Sequence, residues 1–113
     1  MDGGWVGVVT ADLHLPDARS LKAKRKELLR LKQGLARTFD CSVAEVDHHE
    51  LWQRATISLA LVGRTAGDVE DRLAAVERRF HGDPAFQPIE VARESWPIEL
   101  EARFVLDPPE HAR

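Results

Sequence analysis

The chain has 113 residues and a formal net charge of −3, and its contents of 43% hydrophobic and 31% charged residues are typical of one globular domain. No apolar run approaches the roughly 18 residues that span a bilayer, and the start of the sequence lacks the basic and apolar regions of a signal peptide. Cys41 is the single cysteine, which excludes an internal disulfide and a cysteine-only metal cluster, and the protein is expected to be cytoplasmic without membrane attachment.

The first half of the chain predicts a strand, a helix and a second strand. Residues 5–15 are apolar or β-branched on both faces and stop at Pro16, which is typical of a central strand. Ser20 is a good N-cap, and the helix that it opens should reach Phe39. The apolar stripe of this helix consists of Leu21, Leu28, Leu31, Leu35 and Phe39. Residues 41–48 predict a shorter strand.

The second half repeats this pattern. After a polar turn at 48–50, apolar and more polar residues alternate over 52–62, which is typical of a strand with one packed face. Thr65 and Asp68 resemble a capping box. A second apolar stripe then predicts a helix that ends near Gly82. Its members are Ala66, Val69, Leu73, Val76 and Phe80.

The last part of the chain predicts strands near prolines. Residues 89–95 follow two prolines and suit a strand at the edge of a sheet. After Pro97, residues 98–104 alternate again and predict one extra strand, before a loose tail that starts at Asp107.

The order of elements predicts an α+β fold. Two strand-helix-strand units in the order βαββαβ form the ferredoxin-like arrangement, an antiparallel sheet with both helices on one face. The first and third strands are the most apolar and should lie in the centre. Residues 1–97 would form this domain, and 98–113, with the extra strand and the tail, would be a C-terminal extension of the same domain.

Half of the lysines and arginines lie in one stretch of 19 residues that includes most of the first helix. Residues 19–37 contain eight of the sixteen lysines and arginines and one acidic residue, a net charge of +7. The eight are Arg19, Lys22, Lys24, Arg25, Lys26, Arg30, Lys32 and Arg37. Such polarity in an acidic protein favours an anionic partner.

The fold should bring three charged segments together at one pole. These are residues 12–14, 20–25 and 47–54. Lys24 and Arg25 lie in the opening turns of the helix, where the helix dipole disfavours cations, so each needs a negative partner. That partner is either an internal carboxylate or an external anion such as a phosphate bound near Ser20. The internal candidates are Asp17, Glu45, Asp47 and Glu50.

Two further sets of side chains suggest contacts with a polyanion. The outward side of the helix carries a basic ridge, which is either a solvated surface or an RNA-binding surface. The ridge consists of Lys22, Lys26, Arg30 and Arg37. Trp52 and Arg54 should project from the same face of the third strand, where they would stack on a base, form a dimer contact, or lie under the extra strand.

Metal binding and catalysis have weaker support. Asp12, His14, Asp47 and His48 offer nitrogen and oxygen ligands or an acid–base pair. Adjacent histidines point apart, however, and no spaced metal-binding signature occurs. A polar turn is the better interpretation, and no cofactor is expected.

Four segments together resemble one known family. They are Leu13-His-Leu-Pro, Ser20-Leu-Lys-Ala-Lys-Arg25, Ser42-Val-Ala-Glu-Val-Asp-His48 and Leu51-Trp-Gln-Arg-Ala55. Over residues 5–95 the chain is similar to the YlxP-like proteins, small bacterial proteins grouped as a domain of unknown function. The resemblance implies a ferredoxin-like fold and an association with translation-initiation and ribosome-maturation genes, which favours an RNA or ribosome setting. It assigns no catalytic residue.

The sequence therefore predicts a non-enzymatic binding protein that contacts RNA, with ribosomal RNA as the preferred candidate. Its anion- or RNA-binding residues would be Ser20, Lys22, Lys24, Arg25, Lys26, Arg30, Arg37, Trp52 and Arg54. Two alternatives stay open: a homo-oligomeric interaction module, such as a homodimer, and a small metal-dependent or acid–base enzyme that uses Asp12, His14, Asp47 and His48.

Overall fold

Four strands form one antiparallel sheet in a computed structural model, which describes residues 2–100. The elements in chain order are β1 (Asp2–His14), α1 (Leu21–Phe39), β2 (Ser42–Asp47), β3 (Arg54–Gly63), α2 (Ala66–Gly82) and β4 (Gln87–Glu99). The strand order is β2-β3-β1-β4, and every neighbouring pair is antiparallel. The expected α+β class, the order βαββαβ and the central places of β1 and β3 are thereby confirmed.

Side-chain caps fix the start of each helix. The Ser20 hydroxyl accepts a hydrogen bond from the Ala23 N–H at 3.0 Å, and the Thr65 hydroxyl accepts one from the Asp68 N–H at 3.1 Å. Both predicted helix starts are therefore confirmed. At the other end of α1, Asp40 adopts the left-handed conformation with φ of 52° and ends the helix.

Both helices cover the same face of the sheet. The odd-numbered residues of β1 from Gly7 to Leu13 are buried, and Gly7 lies so close to α2 that an added Cβ would come within 2.6 Å of Val69 and 2.9 Å of Leu73. Glu45 of β2, which lies on the same face by strand register, contacts Lys24 of α1. The core between the layers includes Val9, Ala11, Leu13, Leu28, Leu31, Leu35, Ile57, Leu59, Leu61, Val69, Leu73, Val76 and Phe80.

The outermost part of the sheet differs from the prediction. β4 is one strand that passes through Pro97, so Ile98 and Glu99 continue it instead of opening a separate strand. The reason is that β1 begins at Asp2 and supplies a partner, with Trp5 opposite Pro97 and Asp2 opposite Glu99. A proline is tolerated here because β4 is an edge strand. The remainder of the predicted extra strand and the tail from residue 107 lie outside the described residues.

The third strand also starts later than predicted. It begins at Arg54, and Trp52 lies in the turn that precedes it. The prediction that Trp52 and Arg54 share one strand face is therefore wrong.

Candidate functional site

The loop after β1, the start of α1 and the β2–β3 turn meet at one pole, as the topology led us to expect. The Leu15 N–H donates to the Gln53 carbonyl at 2.9 Å. The Gln53 side-chain amide donates to the carbonyls of Pro16 and Ala18 at 3.2 and 3.1 Å. The Leu15–Gln53 bond extends the β1–β3 register by one residue, and the Gln53 side chain then links the turn to the loop after β1.

Lys24 joins α1 to the same turn from within the protein. Its side chain is 1% exposed, and its ammonium lies 2.8 Å from the Glu45 carboxylate. The ammonium also donates to the His48 carbonyl at 2.6 Å and to the His49 carbonyl at 3.4 Å. The buried ammonium thus has a carboxylate counterion and two carbonyl acceptors. Lys24 is therefore paired within the protein. Its predicted role as an anion-binding residue stays a prediction, and this geometry does not favour it.

Arg30 also has internal partners. Its guanidinium donates to both carboxylate oxygens of Asp83 at 2.9 Å and to Glu27 at 3.0 Å. Burial by itself raises the pKa of Asp83, but hydrogen bonds from Arg30 and the Ala85 N–H outweigh it and hold that pKa below its usual value. The same pairing raises the pKa of Arg30. Arg30 thus connects α1 to the segment between α2 and β4 and is not a free member of the outward ridge.

Five other cations of α1 have no hydrogen-bond or ion-pair partner among residues 2–100. They are Lys22, Arg25, Lys26, Lys32 and Arg37. Helical spacing distributes them over the outward half of α1, from Lys32 beside the apolar stripe to Arg37, which is one turn from Gly34. We call these five residues the basic flank. No acidic residue occurs in the first turn of α1 to offset them.

An exposed leucine lies within the basic flank and was missed by the sequence analysis. Leu29 is 53% exposed. With the opening turns of α1 it lines a shallow cavity of about 550 Å³, whose other lining residues are Ser20, Lys22, Ala23, Arg25 and Lys26. Its position outside the apolar stripe of α1 is the feature of the sequence that could have indicated this exposure. Cations around an apolar floor can hold a phosphate beside the flat face of a sugar or base.

The two predicted stacking residues lie in different surroundings. Trp52 is 52% exposed in the turn whose backbone Lys24 binds, so it belongs to the same pole as the start of α1. Arg54 lies on the sheet face opposite the helices and donates to Asp12 at 2.7 and 3.3 Å. The structure therefore places Trp52 at the pole where α1 begins and Arg54 on the opposite face of the sheet.

The basic flank is also extended. Lys22, Arg25 and Lys26 lie beside Ser20, whereas Arg37 follows near the other end of α1. A rise of 1.5 Å per residue places its backbone about 20 Å from that of Lys22. A partner that contacts all five cations must be elongated.

The groups proposed for metal or acid–base chemistry have other partners. Asp12 binds Arg54, and His14 lies 3.1 Å from the Gln87 side-chain oxygen. Asp47 accepts a hydrogen bond from the His48 N–H at 2.7 Å. Within residues 2–100, no three His, Cys, Asp or Glu side chains are placed to hold a metal ion. Burial raises the pKa of the Cys41 thiol, which disfavours the reactive thiolate.

Fold and surface together define a class of small α+β protein, a four-stranded sheet with a basic helix on its covered face. The sequence profile of the family described as "Protein of unknown function (DUF503)" matches residues 6–93, and the chain belongs to this family. It is similar to "Uncharacterized protein YlxP" of Bacillus subtilis (strain 168), with 30% identity over 71 residues, which are 63% of this chain and 77% of that protein. The resemblance inferred from the four segments is confirmed. None of the helices in the described part of the chain has the length and apolar character needed to cross a membrane.

Proposed function

We propose that the protein is a cytoplasmic, non-enzymatic RNA-binding protein that associates with the ribosome through the basic flank of α1. One observation carries the proposal: five cations without partners among residues 2–100 lie on one flank of a single helix, in a chain whose net charge is −3. No carboxylate among residues 2–100 lies within ion-pair distance of these five cations. Such a stripe attracts a polyanion and orients it along the helix.

The chemistry of the pole favours RNA among polyanions. Lys22, Arg25 and Lys26 would contact phosphates, while Leu29 and Trp52 offer apolar surface to sugars or unpaired bases. Base stacking on an exposed aromatic residue is common in single-stranded RNA recognition. The length of the basic flank suits a strand that follows α1 from Ser20 towards Arg37.

We also assign the ferredoxin-like arrangement to the domain. The order βαββαβ, the strand order β2-β3-β1-β4 and the placement of both helices on one face support the assignment. This arrangement leaves α1 at the surface of the helix layer, above the short edge strand β2, where an extended ligand has access.

The salt dependence of binding to purified ribosomal RNA tests the proposal. If all five cations contact phosphates, log K should fall against log salt with a slope of about −3.5 to −4.5. Fluorescence anisotropy with a labelled RNA fragment, measured over a series of salt concentrations, gives this slope. Binding that does not depend on salt, or no binding to RNA or ribosomes, would overturn the proposal.

A matched pair of variants locates the surface. Lys22→Gln with Lys26→Gln removes two cations of the basic flank, and Arg64→Gln with Arg78→Gln removes two exposed arginines elsewhere. Both pairs change the net charge equally. The first pair should weaken RNA binding and make the salt slope shallower by about 1.5 to 2, and the second pair should change neither. Equal effects of the two pairs would mean that net charge, and not this surface, governs binding.

A further inference from the structure

The sheet has a second face that no helix covers. The even-numbered residues of β1 from Val6 to His14 point to it, together with the residues opposite them on β3 and β4. We call this the uncovered face. At one end, Val6 lies between Val62 and Trp96, which are 62% and 45% exposed. An aromatic and an aliphatic side chain exposed side by side are costly to leave in water.

Small side chains occupy the centre of the uncovered face. They line a shallow groove of about 380 Å³ towards the β2 side of the sheet. The groove residues include Val8, Thr10, Ser42, Ala44, Ser58 and Ala60. Thr10 and Ser58 satisfy each other through a hydrogen bond of 2.8 Å. The uncovered face thus has small side chains on the β2 side and a large side chain, Trp96, on the β4 side.

The charges of the uncovered face are mostly acidic. Arg54 is neutralised by Asp12, while Glu90 and Glu94, which lie on this face by register, have no ion-pair partner among the described residues. This charge repels a nucleic acid. The uncovered face therefore serves a different partner from the one that the basic flank attracts.

We propose that the uncovered face binds a second copy of this chain and makes the protein a homodimer. The two sheets pack face to face about a twofold axis that runs parallel to β1 and β3. This axis places β4 of each copy over β2 and β3 of the other. Residues at the same register level then face each other, so Val6 of one copy lies over Val62 of the second copy and Trp96 packs beside that pair. The apolar end of the uncovered face is thus complementary to itself.

The register decides between this axis and the perpendicular one. An axis across the strands would turn the Val6 end of one copy away from that of the other and bring Glu90 near Glu94 of the second copy. The parallel axis keeps the two apolar ends together. It places Glu94 over the Ser42 side of the groove and Glu90 level with Asp47 of the second copy. These carboxylates lie on the edge strands β2 and β4, where solvent reduces their repulsion.

The available area is sufficient for a specific dimer. Four strands about 4.8 Å apart and about ten residues long at 3.3 Å each give roughly 600 Å² per copy. The total of about 1,200 Å² is at the lower end of stable specific interfaces. We therefore expect a dimer that dissociates on dilution.

Light scattering after size-exclusion chromatography tests the inference on the full chain. The measured mass should be twice 12.7 kDa at high concentration and fall towards 12.7 kDa on dilution. Ala60→Glu places a carboxylate at an exposed position in the groove and should give a monomer. Ala36→Glu, the same change at an exposed position of α1, should leave the dimer intact.

A second variant covers the case in which Ala60→Glu does not fold. Trp96→Ser removes the bulky group from the proposed interface and should raise the dimer dissociation constant by about 30-fold or more. A monomeric mass for the wild type at up to about 1 mM protein would overturn the inference, since such weak association is not specific. A folded Ala60→Glu variant that remains dimeric would also overturn the inference. Circular dichroism shows whether this variant is folded.

Discussion

Lys24 is a buried cation that pairs with a carboxylate of the neighbouring strand. Its ammonium contacts the Glu45 carboxylate at 2.8 Å and two carbonyls of the β2–β3 turn. Lys24→Met should lower the free energy of unfolding by about 3 kcal/mol, because it leaves the Glu45 carboxylate without a counterion in a largely buried site. Lys24→Met combined with Glu45→Leu should recover much of this loss. Urea denaturation of the three proteins measures both effects, and a single variant as stable as the wild type would contradict the role given to Lys24.

Asp83 makes stability depend on pH at the acidic end. Its folded-state pKa is lowered, since the hydrogen bonds from Arg30 and Ala85 outweigh the effect of burial. The contribution is therefore fully present above the unfolded pKa of about 3.9 and is lost as pH falls through the lower folded pKa. Asp83→Asn should be less stable than the wild type at neutral pH, with a difference that narrows below about pH 4. Thermal unfolding over a pH series measures this, and a constant difference would show that charge is not the cause.

At the scale of elements, the approach of α2 to β1 depends on Gly7. A Cβ at this position would lie 2.6 Å from Val69 and 2.9 Å from Leu73, so α2 must move to admit it. Gly7→Ala should destabilise the protein by about 1–3 kcal/mol. Gly67→Ala in α2 is the control, because its Cβ would meet nothing within 4 Å, and it should be neutral or stabilising by up to about 1 kcal/mol. Chemical denaturation measures the free energy of unfolding of both variants, and equal values would argue against tight packing at Gly7.

Most of the element pattern could be predicted because it rests on local chemistry. The caps at Ser20 and Thr65 and the alternation in β3 each involve residues near in sequence. The continuation of β4 through Pro97 could not be predicted from local chemistry, because it depends on pairing with the first residues of β1, which begins at Asp2.

The candidate site was less predictable for the same reason. Its cations were evident from composition, but which of them are free depends on partners distant in sequence. Lys24 finds Glu45, and Arg30 finds Asp83, through the tertiary fold. The exposure of Leu29, in contrast, could have been predicted, because this residue lies outside the apolar stripe of α1.

The whole molecule has two faces of opposite character. The helix layer carries the basic flank, and the uncovered face carries Trp96, the small-residue groove and unpaired carboxylates. If the uncovered faces of two copies join, the two α1 helices lie on opposite outer surfaces, roughly 30 Å apart when the layers of sheet and helix are added. The dimer would then offer two separate binding surfaces to one polyanion.

Bivalence predicts that RNA length matters for the dimer and not for the monomer. Ala60→Glu should bind a short RNA, which reaches one α1, as tightly as the wild type does. It should bind a long RNA, which reaches both helices, about 10-fold or more weakly than the wild type, because the second contact of the dimer is intramolecular. Anisotropy titrations with both RNAs at one salt concentration measure the two ratios. A weaker affinity for the short RNA would place Ala60 in the RNA surface itself. Equal affinities for the long RNA would mean that one α1 at a time engages the strand.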